Sequence, residues 1–383
     1  MRSVGMIAEF NPLHNGHVYA LQMARQRAAA DAVVVVLSGN YVQRGEPAIV
    51  DKWARTQLAL QAGADVVVEL PVHAVIQAGQ QFAEGGLAVL AGLGVDALAF
   101  GTEDDQVDYM ALAQQRQDAE KRVPRADSVF QDYSRPYASQ LAALYADEVG
   151  QPMTAPNQML ALAYAEANRN LGTPLELYPI RRVGDAHDAQ ADNAVLTSGS
   201  AVRQAVFAGQ SLQGAVPDAT ATMMATERHA SWTALWPWLQ YRLLSASLSE
   251  LRTIDQMSEG LEYRFVDAVS GASDFDTFLQ GVKSKRYTYA RLRRLALATV
   301  LNMTHTDVVQ GRANPFAHVL GFTSVGQQFL HDVKKSATLP IITKVGNDML
   351  APGGIMQLTH RVDSLYTVMN GRGQNFGHRP VMV

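Results

Sequence analysis

Cysteine is missing altogether from the 383 residues, which removes disulfides, thiolate zinc sites, iron–sulfur clusters and a cysteine nucleophile in one step. Any metal must then be held by oxygen or imidazole, and magnesium travelling with a nucleotide is the natural candidate. Charge is sparse at 18%, while apolar residues make up 48%, the balance of an ordinary globular chain. No stretch supplies the roughly 18 uncharged apolar residues of a membrane helix, and Glu9 interrupts the short apolar start. A cytoplasmic protein with no membrane association is therefore expected. The length predicts two domains, here 1–210 and 211–383. The net charge of −4 is unevenly spread, because 17 Lys and Arg face 13 Asp and Glu after residue 210, a balance of +4 that leaves −8 before it. A basic second half suits a polyanionic partner.

What is present is concentrated near the start. Val4, Met6 and Ile7 form an apolar run that ends at Asn11-Pro12, a turn signal, and from Val18 the chain resumes with helical spacing. Between them His14 and His17 flank Gly16, three residues apart, near one face of a first helical turn whose free N–H groups and dipole favour an anion. A second segment, Thr197-Ser-Gly-Ser-Ala-Val-Arg203, reads as another helix start, capped by Ser198 or Ser200, with Arg203 one turn later to bond a phosphate. Together these two motifs resemble the nucleotidylyltransferase superfamily, which carries H-x-G-H and a later I-S-S-T-x-x-R. Thr197, Ser198, Gly199 and Ser200 stand where that pattern has Ile, Ser, Ser and Thr, so one hydroxyl is lost at Gly199.

The first half alternates strands and helices. Asp31–Ser38 is a continuous β-branched run, which indicates a strand buried on both faces of a parallel sheet. Further strands are expected at Ala64–Pro71, Val95–Gly101 and Leu175–Ile180, with helices at Lys52–Gln61 and near Gln80–Leu93. The pattern predicts a doubly wound, Rossmann-like α/β fold with a helical insertion at about 106–170, broken at Pro124, Pro136, Pro152 and Pro156. Ligands in such folds gather beyond the carboxyl ends of the strands. After about Ala215 the spacing is mainly helical, with a strand suggested only at Leu339–Thr343, so a second, α-rich domain is expected. Its most distinctive segment, Gly281–Arg294, packs six basic side chains into fourteen residues with two tyrosines. Lys283, Lys285, Arg286, Arg291 and Arg294 suit phosphates, and Tyr287 or Tyr289 suits stacking on a base.

Five segments, Phe10–His17, Ser38–Ala48, Asp51–Arg55, Gly63–Pro71 and Lys283–Tyr289, together resemble the tRNA(Met) cytidine acetate ligase family. The resemblance implies that ATP and acetate give acetyl-adenylate and pyrophosphate, and that the acetyl group then passes to the exocyclic amine of the wobble cytidine of elongator tRNA(Met). It implies an ATP site made of Ile7, Ala8, Glu9, Phe10, Asn11, Pro12, Leu13, His14, Asn15, Gly16, His17, Val18, Tyr19 and Ala20, with Gly101, Asn157 and the Arg181-Arg182 pair. Of that pair, Arg182 matches the family's motif, which has lysine or arginine before its arginine. His14, His17, Arg203 and Ser200 are the expected catalytic groups. The polar loop with Ser38, Gly39, Asn40, Gln43 and Arg44 should face the acyl pocket or the incoming base. Glu69, a carboxylate ending an apolar strand, is added because such a group is rarely buried unpaired. Asp51, Lys52 and Arg55 read as ordinary helix-start charges and Trp53 as core filling. Two other readings stay open: adenylyl transfer to a small phosphorylated acceptor, and an RNA-binding protein with a vestigial nucleotide fold.

Overall fold

The computed structural model describes residues 1–122, 155–182, 198–258 and 260–383. Thr197 and the breaks at Pro124, Pro136 and Pro152 lie outside the described residues. Strand β1 (Ser3–Ala8) leads into helix α1 (Asn15–Arg27), then β2 (Ala32–Ser38), a hairpin of β3 (Tyr41–Val42) and β4 (Glu46–Pro47), and α2 (Lys52–Gln61). There follow β5 (Val66–Leu70), the short α3 (Val72–Val75), α4 (Gly79–Gly92), β6 (Ala97–Thr102), α5 (Tyr109–Arg122), α6 (Pro156–Arg169), β7 (Glu176–Arg181) and α7 (Gly199–Phe207). Every strand expected in the first half is present.

Seven strands run in the order β10-β8-β5-β2-β1-β6-β7, where β8 is Ala317–Phe322 and β10 is Val381–Met382; β9 (Ile341–Ile342) pairs with β8. The chain moves outward from β1 through β2 to β5, then returns to pair β6 on the other side of β1. That reversal between β1 and β6 is the switch point, where helices on opposite faces leave a crevice. All seven residues of β2 are buried, in keeping with its unbroken β-branched run.

The second half corrects one expectation. It is not free of strands before Leu339: β8 joins the main sheet antiparallel to β5, and β10 pairs parallel with β8. The segment AHVLGF mixes His318 and Gly321 into a short apolar run, which hides the β signal, and the pairing comes from an edge of β5 that would otherwise stand open. The rest of the second half is helical, from Asp218–Thr226 to Gln357–Asn370.

Charges taken for surface features are buried across this junction. Lys52 and Arg55 are both 0% exposed. Lys52 Nζ donates to Glu69 (2.8 and 2.9 Å), to Asp363 Oδ2 (2.7 Å) and to Asn375 Oδ1 (3.0 Å), and His318 Nδ1 lies 2.7 Å from Glu69 Oε2. Asp51 does cap α2, accepting from the Ala54 N–H at 2.8 Å. Trp53 is buried and donates to the Gln374 carbonyl.

Candidate active site

One cleft of about 450 Å³ opens beyond the carboxyl ends of β1 and β6. Its lining brings together Ile7, Ala8, Glu9, Phe10, Asn11, His14, Gly16, His17, Tyr19 and Ala20 with Gln43, Arg44, Gly101, Asn157, Arg181, Arg182, Ser200 and Arg203. Pro12, Leu13, Asn15 and Val18 are outside that lining. Leu13 is core, and Asn15 turns away to bond the carbonyl of Gly214 at 2.8 Å.

His14 is the N-cap of α1, and its ring stacks on His17 with centroids 3.6 Å apart. The His14 backbone N–H donates to His17 Nδ1 at 3.3 Å. Nδ1 is thereby an acceptor, so the proton of neutral His17 resides on Nε2. Burial, helped by Arg182, lowers the His14 pKa to about 4. Burial, with His14 and Arg182 adding to it, holds His17 well below its ordinary value. Both rings are therefore neutral N–H donors at a helix start, and the fixed positive charge of the cleft comes from arginine.

Ser198, rather than Ser200, caps α7, accepting from the Ala201 N–H at 3.2 Å. Arg203 ties three parts of the cleft: it donates to the Asn11 carbonyl (2.7 Å), to Glu46 Oε1 (2.6 Å) and to the Ser200 hydroxyl (3.4 Å). Arg44 reaches the same Ser200 hydroxyl, at 3.5 Å. A Cβ on Gly199 would sit 3.0 Å from the Asn11 carbonyl oxygen, so glycine lets the start of α7 close on the Asn11-Pro12 turn. The departure at Gly199 from the superfamily pattern thus goes with a close backbone approach.

Asn157 lies in the first turn of α6, which has Ala155 at its N-cap. The Asn157 amide donates to Glu103 Oε1 at 2.6 Å, and Glu103 also accepts from the Gln158 N–H at 2.9 Å, so Glu103 caps α6 from across the cleft. Phe82, Phe100, Leu160 and Tyr164 add an apolar wall. The sequence reading missed these residues because only the packing of α4 against α6, and of α6 on β6, assembles them.

Four expected substrate residues are not brought to the cleft. Ser38 and Gly39 are buried and offer their carbonyls to Arg55, which also donates to the Glu9 carbonyl at 2.7 Å. Asn40 bridges Asp363 and Gln374. Glu69 belongs to the buried Lys52 cluster, the paired state its burial demanded. These groups brace the loop, while Gln43 and Arg44 at its tip line the cleft.

The basic segment proves to lie against this loop. Gly45 has φ +77°, and a Cβ there would strike the backbone of Arg293 and Arg294 in the helix Tyr289–Val300. Trp232 Nε1 donates to the Gly45 carbonyl at 2.8 Å. Lys285 and Tyr289 are exposed and Lys283 is partly so, with the Lys283 ammonium 5.3 Å from the Tyr289 ring centre. Tyr287, by contrast, is buried beside the Arg291 guanidinium, which corrects its assignment as a stacking platform. Arg294 is only partly exposed, and burial lowers its pKa to about 10.

A nucleotide-binding α/β fold with paired imidazoles at a helix start defines a class, and similarity to known proteins agrees with it. The family model of the HIGH Nucleotidyl Transferase family matches residues 1–378. The chain is 44% identical over 385 residues to the tRNA(Met) cytidine acetate ligase of Latilactobacillus sakei, covering 100% of this chain and 97% of that one. It is 42% identical to the enzyme of the same name from Lactobacillus acidophilus, with complete coverage of both. Two structures of Thermotoga maritima TmcAL, one apo and one bound with alpha-thio ATP, superpose with a TM-score of 0.85 at 25% identity, covering 100% of this chain and 99% or more of each. The chain belongs to the tRNA(Met) cytidine acetate ligase family, within the HIGH nucleotidyl transferases.

Proposed function

We propose that this protein is an ATP-dependent ligase that activates acetate as acetyl-adenylate and acetylates the exocyclic amine of the wobble cytidine of elongator tRNA(Met). The observation that carries the reading is the His14–His17 pair, tautomer-locked and neutral, at the N-terminus of α1 beyond the switch point. In the first step an acetate oxygen attacks the α-phosphorus of ATP and the bond to the leaving pyrophosphate breaks. Charge grows on phosphoryl oxygens, where fixed N–H donors and guanidinium groups stabilise it without a protein nucleophile. His17 Nε2–H, His14, Arg182 and Arg203 are placed for that role, the last after exchanging Glu46 for phosphate. In the second step the cytidine amine attacks the acetyl carbon and AMP departs.

Among the described residues no group of three or more His, Asp or Glu could hold a metal ion. Mg²⁺ would enter as the companion of ATP, where it would offset phosphate charge. Residues 1–210 supply the nucleotide cleft, and 211–383 supply the RNA side, where Lys283, Lys285, Arg286, Arg291 and Tyr289 meet the anticodon arm. A substrate of this kind places the protein in the cytoplasm; among the described residues no helix is long and apolar enough to cross a membrane.

Isotope labelling tests the reading. Labelled acetate with ATP should transfer label to tRNA, whereas labelled acetyl coenzyme A without ATP should not. Label arriving only from the thioester would overturn it.

A further inference from the structure

The reaction proposed above leaves one requirement unassigned. An exocyclic amine conjugated with its ring is a weak nucleophile, and its N–H becomes strongly acidic as the new N–C bond forms, so acyl transfer needs an acceptor for that proton. The departing AMP needs no acid, because a phosphate leaves as an anion. Three carboxylates among the described residues line the cleft: Glu9, Glu46 and Glu103. Glu46 is ion-paired to Arg203 at 2.6 Å. Glu103 is consumed by the start of α6. Glu9 differs from both. It follows directly on β1, and among the described residues its Oε1 accepts the Gln43 backbone N–H at 2.6 Å while no ion pair engages the carboxylate. In a cleft built for phosphates, a carboxylate without a cation partner does not serve anion binding.

We propose that Glu9 is the general base of the acyl-transfer step, with its Oε2 accepting one proton from the cytidine amine as the N–C bond forms and the bond from the acetyl carbon to the AMP oxygen breaks. The position suits the task. Glu9 extends β1, the neighbour of the strand that carries Gly101, and it holds the Gln43 N–H next to the Arg44 and Gly45 tip on which the basic helix rests. An acceptor strand guided by that helix would therefore enter past the hairpin toward Glu9. The backbone of Glu9 is fixed as well, its carbonyl held by buried Arg55. The groups that face it are Arg44 and Glu46 from the hairpin, Arg55 from α2, Arg203 from α7 and Tyr164 from α6. Burial raises its pKa, with Glu46 adding to the rise against the Gln43 N–H, Arg44 and Arg203, and a raised pKa makes a carboxylate a better base near neutral pH.

This assignment rests on the ligase reading, and the two fail differently. Acetate-dependent ATP–pyrophosphate exchange reports the first step, and single-turnover transfer from preformed acetyl-adenylate to tRNA reports the second. Glu9→Gln should lower the ratio of transfer to exchange by on the order of 10²-fold. The wild-type transfer rate should rise with pH through an ionisation above the ordinary carboxylate value, and the variant should lose that rise. Glu9→Asp, which keeps the carboxylate, should retain the pH dependence at reduced rate and serves if the glutamine variant does not fold. Transfer at the wild-type rate in Glu9→Gln would overturn the assignment. So would an equal loss of exchange and transfer in a variant that melts like wild type, since Glu9 would then act on the nucleotide or its Mg²⁺. A wild-type protein without acetate-dependent exchange would instead bring down the ligase reading itself.

Discussion

Two histidines three residues apart are placed so that each restricts the other. The backbone N–H of His14 occupies His17 Nδ1, and their rings stack, so the donor left on His17 is Nε2–H. His17→Ala should lower pyrophosphate exchange by on the order of ten-fold or more, the scale of removing a single transition-state donor. The depressed pKa values also carry a stability consequence. Between pH 6.5 and about 4 the unfolded chain protonates His14 while the folded protein does not, so the unfolded state binds more protons and stability falls as pH falls through that window. Melting curves of the nucleotide-free protein should show this, and His14→Asn, which keeps a capping side chain, should flatten the slope.

At the level of elements, the hairpin β3-β4 and the helix Tyr289–Val300 form one unit. The absence of a Cβ at Gly45 lets helix backbone rest on the hairpin, whose adjoining residues Arg44 and Glu46 enter the cleft. The basic stretch is thus not remote from the α/β motifs, as its position in the sequence suggests, and a bound RNA would press on the same loop that shapes the site. Replacing Lys283, Lys285 and Arg286 together with Ala should weaken tRNA binding and flatten its salt dependence, by roughly one unit of slope for each phosphate that is no longer neutralised. Binding of ATP, followed by calorimetry, should survive. A triple variant that loses ATP affinity and keeps tRNA affinity would reverse the two roles.

Across the whole molecule the two halves are joined by a sheet and by buried charge. Lys52 and Glu69 from the first half meet His318 and Asp363 from the second, all but excluded from water. Burial on its own would raise the Glu69 pKa, but Lys52 and His318 outweigh it and hold the carboxyl below its ordinary value. Lys52→Met would leave Glu69 and Asp363 facing each other with His318 alone to offset them, and a loss of about 3–5 kcal/mol is expected, the scale of one partner removed from a buried pair. Denaturant titration checks it; a change within about 0.5 kcal/mol would mean that water already reaches the cluster.

Elements with local signals were legible in the order of residues alone. Unbroken β-branched runs specify β2 and β5, the Asn11-Pro12 turn ends β1, and His14 and His17 lie one helical turn apart whatever surrounds them. The histidine corner of the cleft could be read for the same reason, since one contiguous stretch, Met6–Ala20, supplies 11 of the 29 residues that line it. Other assignments waited on folding, because burial and partnership depend on residues far apart in the chain. Lys52 and Arg55 read as helix-start charges until Glu69, Asp363 and four backbone carbonyls surround them. Tyr287 reads as a platform until it is packed inside, and Ala317–Phe322 becomes a strand only when β5 offers an unpaired edge. Glu9 had no distinct role until folding engaged the other two carboxylates of the cleft and left it, among the described residues, without an ion pair.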